Sequence, residues 1–195
     1  MLLNLLKVGV KVGAIALVAT QGFVAQPAFA GSPSAKAKAE GKLTPYQSRL
    51  VNRLKQCPDS AQPDALARSQ FFRVASGKYI VQVMCMLGAY QGGYEYYLLT
   101  ETAGKTQSKP LKLLKVWEDG GKKMRLEDNT LGGLPTYNAA NRELTVFNKG
   151  RGLGDCGTFG RYKFENDRFV AKEIRAKSEC DGKYIEPEQY KQVYP

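Results

Sequence analysis

The stretch KYIVQVMCM, Lys78 to Met86, lies between Gly77 and Gly88 and is rich in β-branched residues. Its alternation puts Tyr79, Val81, Val83 and Cys85 on one face of a strand. The same texture recurs on its C-terminal side. Tyr94 to Thr100 follows a crossing that holds Gly92-Gly93, and Leu111 to Trp117 follows a loop with Gly104 and Pro110. Glu143 to Lys149, Thr158 to Phe164 and Arg168 to Ala176 complete the set, the last two joined by the short turn Asn166-Asp167. So few residues separate the strands that the pairing must be mostly antiparallel. The expected fold class is therefore mainly β, with antiparallel sheets in a sandwich- or barrel-like arrangement. Leu87-Gly88 aligns with Leu153-Gly154, Tyr96 with Tyr162 and Leu98 with Phe164, all at one offset. If this is a repeat, the domain holds two similar β-units.

One helix precedes the strands. Thr44 is placed to cap it, Pro45 suits its first position, and Gln47 completes a capping box. Tyr46, Leu50, Leu54 and Cys57 then fall on one face, and Pro58 ends the helix. A short second turn is expected at Asp64 to Arg68, behind Pro63. Further upstream, Lys7 and Lys11 precede an apolar run from Val12 to Thr20, and Ala28-Phe29-Ala30 has the A-x-A form of a cleavage site. Residues 1–30 read as a secretory signal peptide, too short in its apolar run for the roughly 20 residues of a membrane-spanning helix. Residues 31–42, GSPSAKAKAEGK, read as a flexible basic linker, leaving 43–195 as a single domain. The expected location is outside the cytoplasm, in the periplasm or the medium, with no stable membrane insertion after cleavage.

The composition narrows the chemistry. The chain of 195 residues carries 29 Lys+Arg, 18 Asp+Glu and no histidine, for a net charge of +11. Without histidine there can be no Ser-His-Asp triad, Cys-His dyad or histidine-held metal. The four cysteines contain no CxxC pair, and in an oxidising compartment they should form two disulfides. Three connectivities are open. The local one, Cys57–Cys85 with Cys156–Cys180, is expected, each bridge contributing about 3.5 kcal/mol.

The densest motif is GRGLGDCG, Gly150 to Gly157. A nucleotide loop would have to open a helix, but the following Thr158 to Phe164 reads as strand. The glycines are thus expected to serve a tight connection beside a disulfide, with Asp155 accepting from backbone N–H groups.

Residues 105–125 concentrate Lys105, Lys109, Lys112, Lys115, Lys122, Lys123 and Arg125 against Glu118 and Asp119. Lys112, Lys115, Lys122, Lys123, Arg125 and Arg151 are therefore the candidate anion-binding residues. Lys112 and Lys115 have opposite strand parity and should point to opposite faces. No spacing marks a catalytic carboxylate pair, a metal site or a cofactor site.

CMLGAY (85–90) with the Tyr/Leu strand after it, GRGLGDCG (150–157), and the Phe169 strand running to ECDG (179–182) resemble domain of unknown function 1176. That family comprises exported bacterial proteins, cyanobacterial ones among them, for which the thylakoid lumen would be a further compartment. The resemblance covers Cys57 to Pro195 and is most specific at GRGLGDCG. Longer members carry tryptophans in the next strand, where this chain has Phe159 and Tyr162, so it reads as a short variant. The family implies no reaction, cofactor or catalytic residue. The expected function is a non-enzymatic binding protein for an anionic envelope polysaccharide or an acidic protein, with no nucleic-acid partner. The alternatives are a carboxylate-dependent hydrolase of envelope carbohydrate and an inhibitor-type interaction module.

Overall fold

The computed structural model describes residues 42–57, 61–119 and 122–195. The expected signal peptide, nearly all of the expected linker, and Pro58 lie outside the described residues. In chain order the elements are α1 (Pro45–Leu54), α2 (Pro63–Leu66), β1 (Gln70–Ala75), β2 (Lys78–Leu87), β3 (Gly92–Thr102), β4 (Lys105–Pro110), β5 (Leu113–Asp119), β6 (Lys122–Asp128), β7 (Thr130–Asn138), β8 (Glu143–Lys149), β9 (Gly157–Glu165), β10 (Arg168–Lys177) and β11 (Lys191–Tyr194). A 3-10 turn at Pro187–Gln189 precedes β11.

Two four-stranded antiparallel meanders, β1-β2-β3-β4 and β7-β8-β9-β10, make up most of the molecule. They are joined because β3 forks. Gly92–Glu95 of β3 pair with Thr130–Gly133 of β7, whereas Tyr97–Thr102 pair with β4. Tyr96 stands at the fork: its N–H donates to Asn129 O and its carbonyl accepts from Leu111 N. The β5–β6 hairpin pairs only with itself. The strands are antiparallel, as their pattern indicates. Of the two arrangements that pattern leaves open, the closed barrel is not formed, and the two meanders of one continuous nine-stranded sheet pack on each other as an open sandwich.

Alternation assigns the layers. Tyr94, Tyr96 and Leu98 of β3 join Ile80 in the core shared by the meanders, where they meet Leu144, Val146, Tyr162, Phe164 and Phe169. Tyr97 and Leu99 point the other way, with Val81, Val83 and Cys85, onto Leu50, Val51 and Leu54 of α1. The middle layer is therefore buried on both faces. Each large apolar side chain removed from water there contributes about 1.5–3 kcal/mol.

Helix α1 begins with the expected capping box: Thr44 Oγ1 accepts from Gln47 N at 3.2 Å and Gln47 Oε1 accepts from Thr44 N at 2.9 Å. It ends sooner than the apolar spacing suggests. Lys55 leaves helical geometry at ψ 126, so Cys57 lies beyond the helix, drawn to Cys85 by their disulfide. The second helical turn starts at Pro63 and stops at Leu66, slightly ahead of the expected span. Residues 105–110, read as loop, form β4, a hairpin partner of β3 through a turn in which Ala103 and Gly104 both have positive φ. Asn166 and Asp167, at φ 51 and 56, make the same kind of turn between β9 and β10.

Candidate anion-binding groove

Beyond Pro110, the last residue of β4, the chain drops into the core. Leu111 is 1% exposed and tied by its N–H to Tyr96 O, which leaves Lys112 standing in solvent. Facing this corner is the β9–β10 turn, with Asp167, Arg168 and the buried Phe169. Between them runs an open groove of about 400 Å³, closed at its sides by Leu114, Glu127 and Tyr194.

The groove's charge is predominantly positive. The side chains of Lys109, Lys112 and Arg168 are exposed and form no hydrogen bond or ion pair with another described residue. Asp167 is matched by Lys78 Nζ at 2.6 Å. Glu127 is the other acid in the lining. Arg125 adds a cation at the rim, with its Cζ 5.9 Å from the centroid of the Tyr194 ring.

The basic run of the sequence is thus divided. Lys112 lines the groove and Arg125 lies beside it. Lys115 donates instead to Asp128 Oδ2 at 3.4 Å and Thr130 Oγ1 at 3.3 Å, and lines a different recess. Lys122 and Lys123 begin β6, opposite Asp119 and Glu118 in register. Two cations of the groove, Lys109 and Arg168, are absent from the sequence-derived set. Nothing in the sequence relates Arg168 to the basic run, because the sandwich is what brings β10 beside the end of β4.

Arg151 belongs to a separate structural clasp. Its Nε and Nη2 donate to the two oxygens of Asp155 at 2.8 and 2.6 Å, and Nη2 also reaches Cys180 O. Asp155, 2% exposed, accepts further from Gly182 N at 2.6 Å. Lys177 Nζ donates to Asp155 O, Asp181 Oδ1 and Lys183 O. With the Cys156–Cys180 disulfide and the bond from Tyr190 OH to Gly154 O, these contacts hold the glycine-rich loop to the segment after β10. The acceptor role expected of Asp155 is present: it takes its own backbone N–H within the loop and, beyond the loop, that of Gly182.

The Arg151 guanidinium holds the Asp155 carboxyl well below the usual carboxylate range, helped by the Gly182 N–H. Lys177 lowers Asp181 in the same way. Both groups are more acidic in the folded than in the unfolded chain, where an aspartate titrates near about 3.9. Their stabilisation is therefore present above about pH 4 and is lost as the pH falls through the folded-state values. Melting temperatures from pH 7 down to pH 2 should decline in acid for the natural chain. Asp155→Asn should start lower at pH 7 and decline less. Parallel curves would mean that Asp155 is not one of the groups responsible.

Asp128, Asp155, Glu165 and Asp181 all have lowered carboxyl pKa values, from hydrogen bonds to Thr130, Arg151, Lys172 and Lys177 respectively. A general acid needs the opposite shift. All four cysteines lie in the two local disulfides, Cys57–Cys85 and Cys156–Cys180, which fits an oxidising, exported environment. Among the described residues no helix is long and apolar enough to cross a membrane.

The model of the family described as protein of unknown function (DUF1176) matches residues 11–195. The chain belongs to that family. Over 105 residues this DUF1176 protein is 29% identical to the uncharacterized protein YpfG of Escherichia coli strain K12. The match takes in 54% of the present chain but 29% of YpfG, so the chain spans under a third of that relative's length. No solved structure matches it.

Proposed function

We propose that this DUF1176 protein is an exported binding protein, periplasmic or secreted, that holds an anionic polysaccharide strand in the groove between β4 and β10. The observation that supports this reading best is the trio Lys109, Lys112 and Arg168, three exposed cations with no hydrogen bond or salt bridge among the described residues, around one recess where Asp167 is already matched by Lys78 and Glu127 is the other acid. Such charges steer and hold a polyanion more effectively than they stabilise a fold. A recess about 400 Å³ in volume suits a strand better than the broad face a folded acidic protein requires.

Dextran sulfate is a suitable probe. Binding should weaken steeply with salt, because exposed charges are screened over about 8–10 Å at physiological ionic strength. Lys109→Gln, Lys112→Gln and Arg168→Gln together should cost at least about tenfold in affinity. Stability should change by less than about 0.5 kcal/mol per site. The matched control replaces Arg49, Arg53 and Lys55, exposed cations on and after α1, with Gln. An equal loss in both triple variants would mean that net charge, and no groove, does the binding.

A further inference from the structure

On the other side of the β5–β6 hairpin lies a second recess. The register places Leu144, Val146 and Asn148 of β8 opposite Tyr162, Gly160 and Thr158 of β9, so these pairs share the inner face of the second meander. The first meander covers the end of that face at Leu144, Tyr162 and Phe164. Toward the other end, Val116 of the hairpin packs on Ile174, Ala176 and Val193. Between these two covers remains a cleft of about 230 Å³, with Trp117 and Leu126 of the hairpin on one side and Gly160, Asn148 and Thr158 on the other.

The chemistry of this cleft differs from that of the groove. The ammonium of Lys115, which also lines it, is already matched by Asp128. Tyr162 OH is likewise committed, to Leu114 O at 2.9 Å. Asn148 Oδ1 accepts from Gln91 Nε2 at 2.9 Å, which orients the amide and leaves Nδ2 without a partner among the described residues. The Thr158 hydroxyl also has none. The unused groups are thus an amide donor and a hydroxyl, directly opposite each other across β8 and β9, in a cleft that also holds an indole. Its volume is below the roughly 300–1,000 Å³ of pockets for drug-sized ligands, which leaves room for a single ring. A purely apolar ligand would leave the amide and hydroxyl unpaired in a desolvated site. A small anion would find no unmatched cation.

We infer that this cleft binds one pyranose ring of a neutral saccharide, its apolar face against Trp117 and its hydroxyls hydrogen-bonded by Asn148 and Thr158. The inference stands apart from the anion-binding reading, because the strand alternation puts Leu114 and Glu127, which line the groove, on the opposite hairpin face from Lys115, Trp117 and Leu126.

Trp117 is the sole tryptophan, so its fluorescence reports on the cleft directly. Cellotriose, triacetylchitotriose and maltotriose, all uncharged, would each be titrated into the full chain. At least one should give a saturable change in intensity or wavelength below about 10 mM. Thr158→Val, which keeps the side-chain shape, and Asn148→Ala should each weaken that binding by about tenfold. Trp117→Ala should abolish it by calorimetry. The groove triple variant should bind the sugar as the natural chain does, so failure of one reading is separable from failure of the other. No saturable change with any of the three sugars would overturn the inference, as would unaltered binding by both polar variants.

Discussion

Gly157→Ala should lower the free energy of unfolding by about 4 kcal/mol, among the larger effects a single substitution can have. Gly157 opens β9 at φ 145, a conformation that side-chain-bearing residues rarely adopt. A Cβ there would lie 2.1 Å from Asn148 O and 3.0 Å from Gly150 N, both backbone atoms. Relief requires β8 and β9 to part at the rung where Gly157 pairs with Lys149, beside the Cys156–Cys180 bridge. Gly152→Ala is the natural control, because its nearest contact is an ordinary 3.5 Å from the Tyr90 ring. It should cost no more than about 0.5 kcal/mol. Denaturant titrations of both variants decide the point. Equal midpoints would mean that the glycine-rich loop tolerates a side chain at its tightest position.

Removing the Cys57–Cys85 bridge is the second large perturbation. Cys57→Ala with Cys85→Ala should cost about 2–5 kcal/mol, against a typical domain stability of about 5–15 kcal/mol. The bridge closes a separation of 28 residues and ties the segment after α1 to the end of β2. A buried anchor lies alongside: Glu95, 4% exposed, accepts from Gln56 N at 2.9 Å and Tyr97 OH at 2.8 Å. The double variant should therefore loosen α1 before the sandwich. Amide exchange in Leu50–Leu54 should speed up more than in β9, and uniform acceleration would count against a local role for the bridge.

The residues that announce this fold are buried, β-branched runs set between polar and glycine-bearing breaks. Val81 and Val83 on one face and Ile80 on the other made β2 legible, and the Thr44, Pro45 and Gln47 triplet made the start of α1 legible. The strands that escaped notice lack that contrast. All six side chains of β4, KTQSKP, are exposed, and β6 carries exposed Lys122, Lys123 and Arg125. In β7, Gly132-Gly133 and Pro135 look like strand breakers. Pro135 is accommodated because only Thr130 to Gly133 pair with β3, so the edge beside it needs no N–H. The groove was half visible. Lys109 and Lys112 stand in the basic run, but Arg168 arrives by tertiary packing, which no local pattern encodes. The same holds for Trp117 and its approach to Asn148 and Thr158.

A forked β3 also bears on how the chain acquires its shape in time. The meander β1–β4 is built from neighbours in sequence and can close as soon as it emerges. The edge of β3 at Gly92 to Glu95 cannot, because its partner arrives only after β4 and the β5–β6 hairpin have been made. At a synthesis rate of about 5–20 residues per second that bare edge waits for seconds. It is an open template for a strand of another molecule during that interval. Export in an unfolded state, followed by folding where all of β7 is already present, would remove the delay.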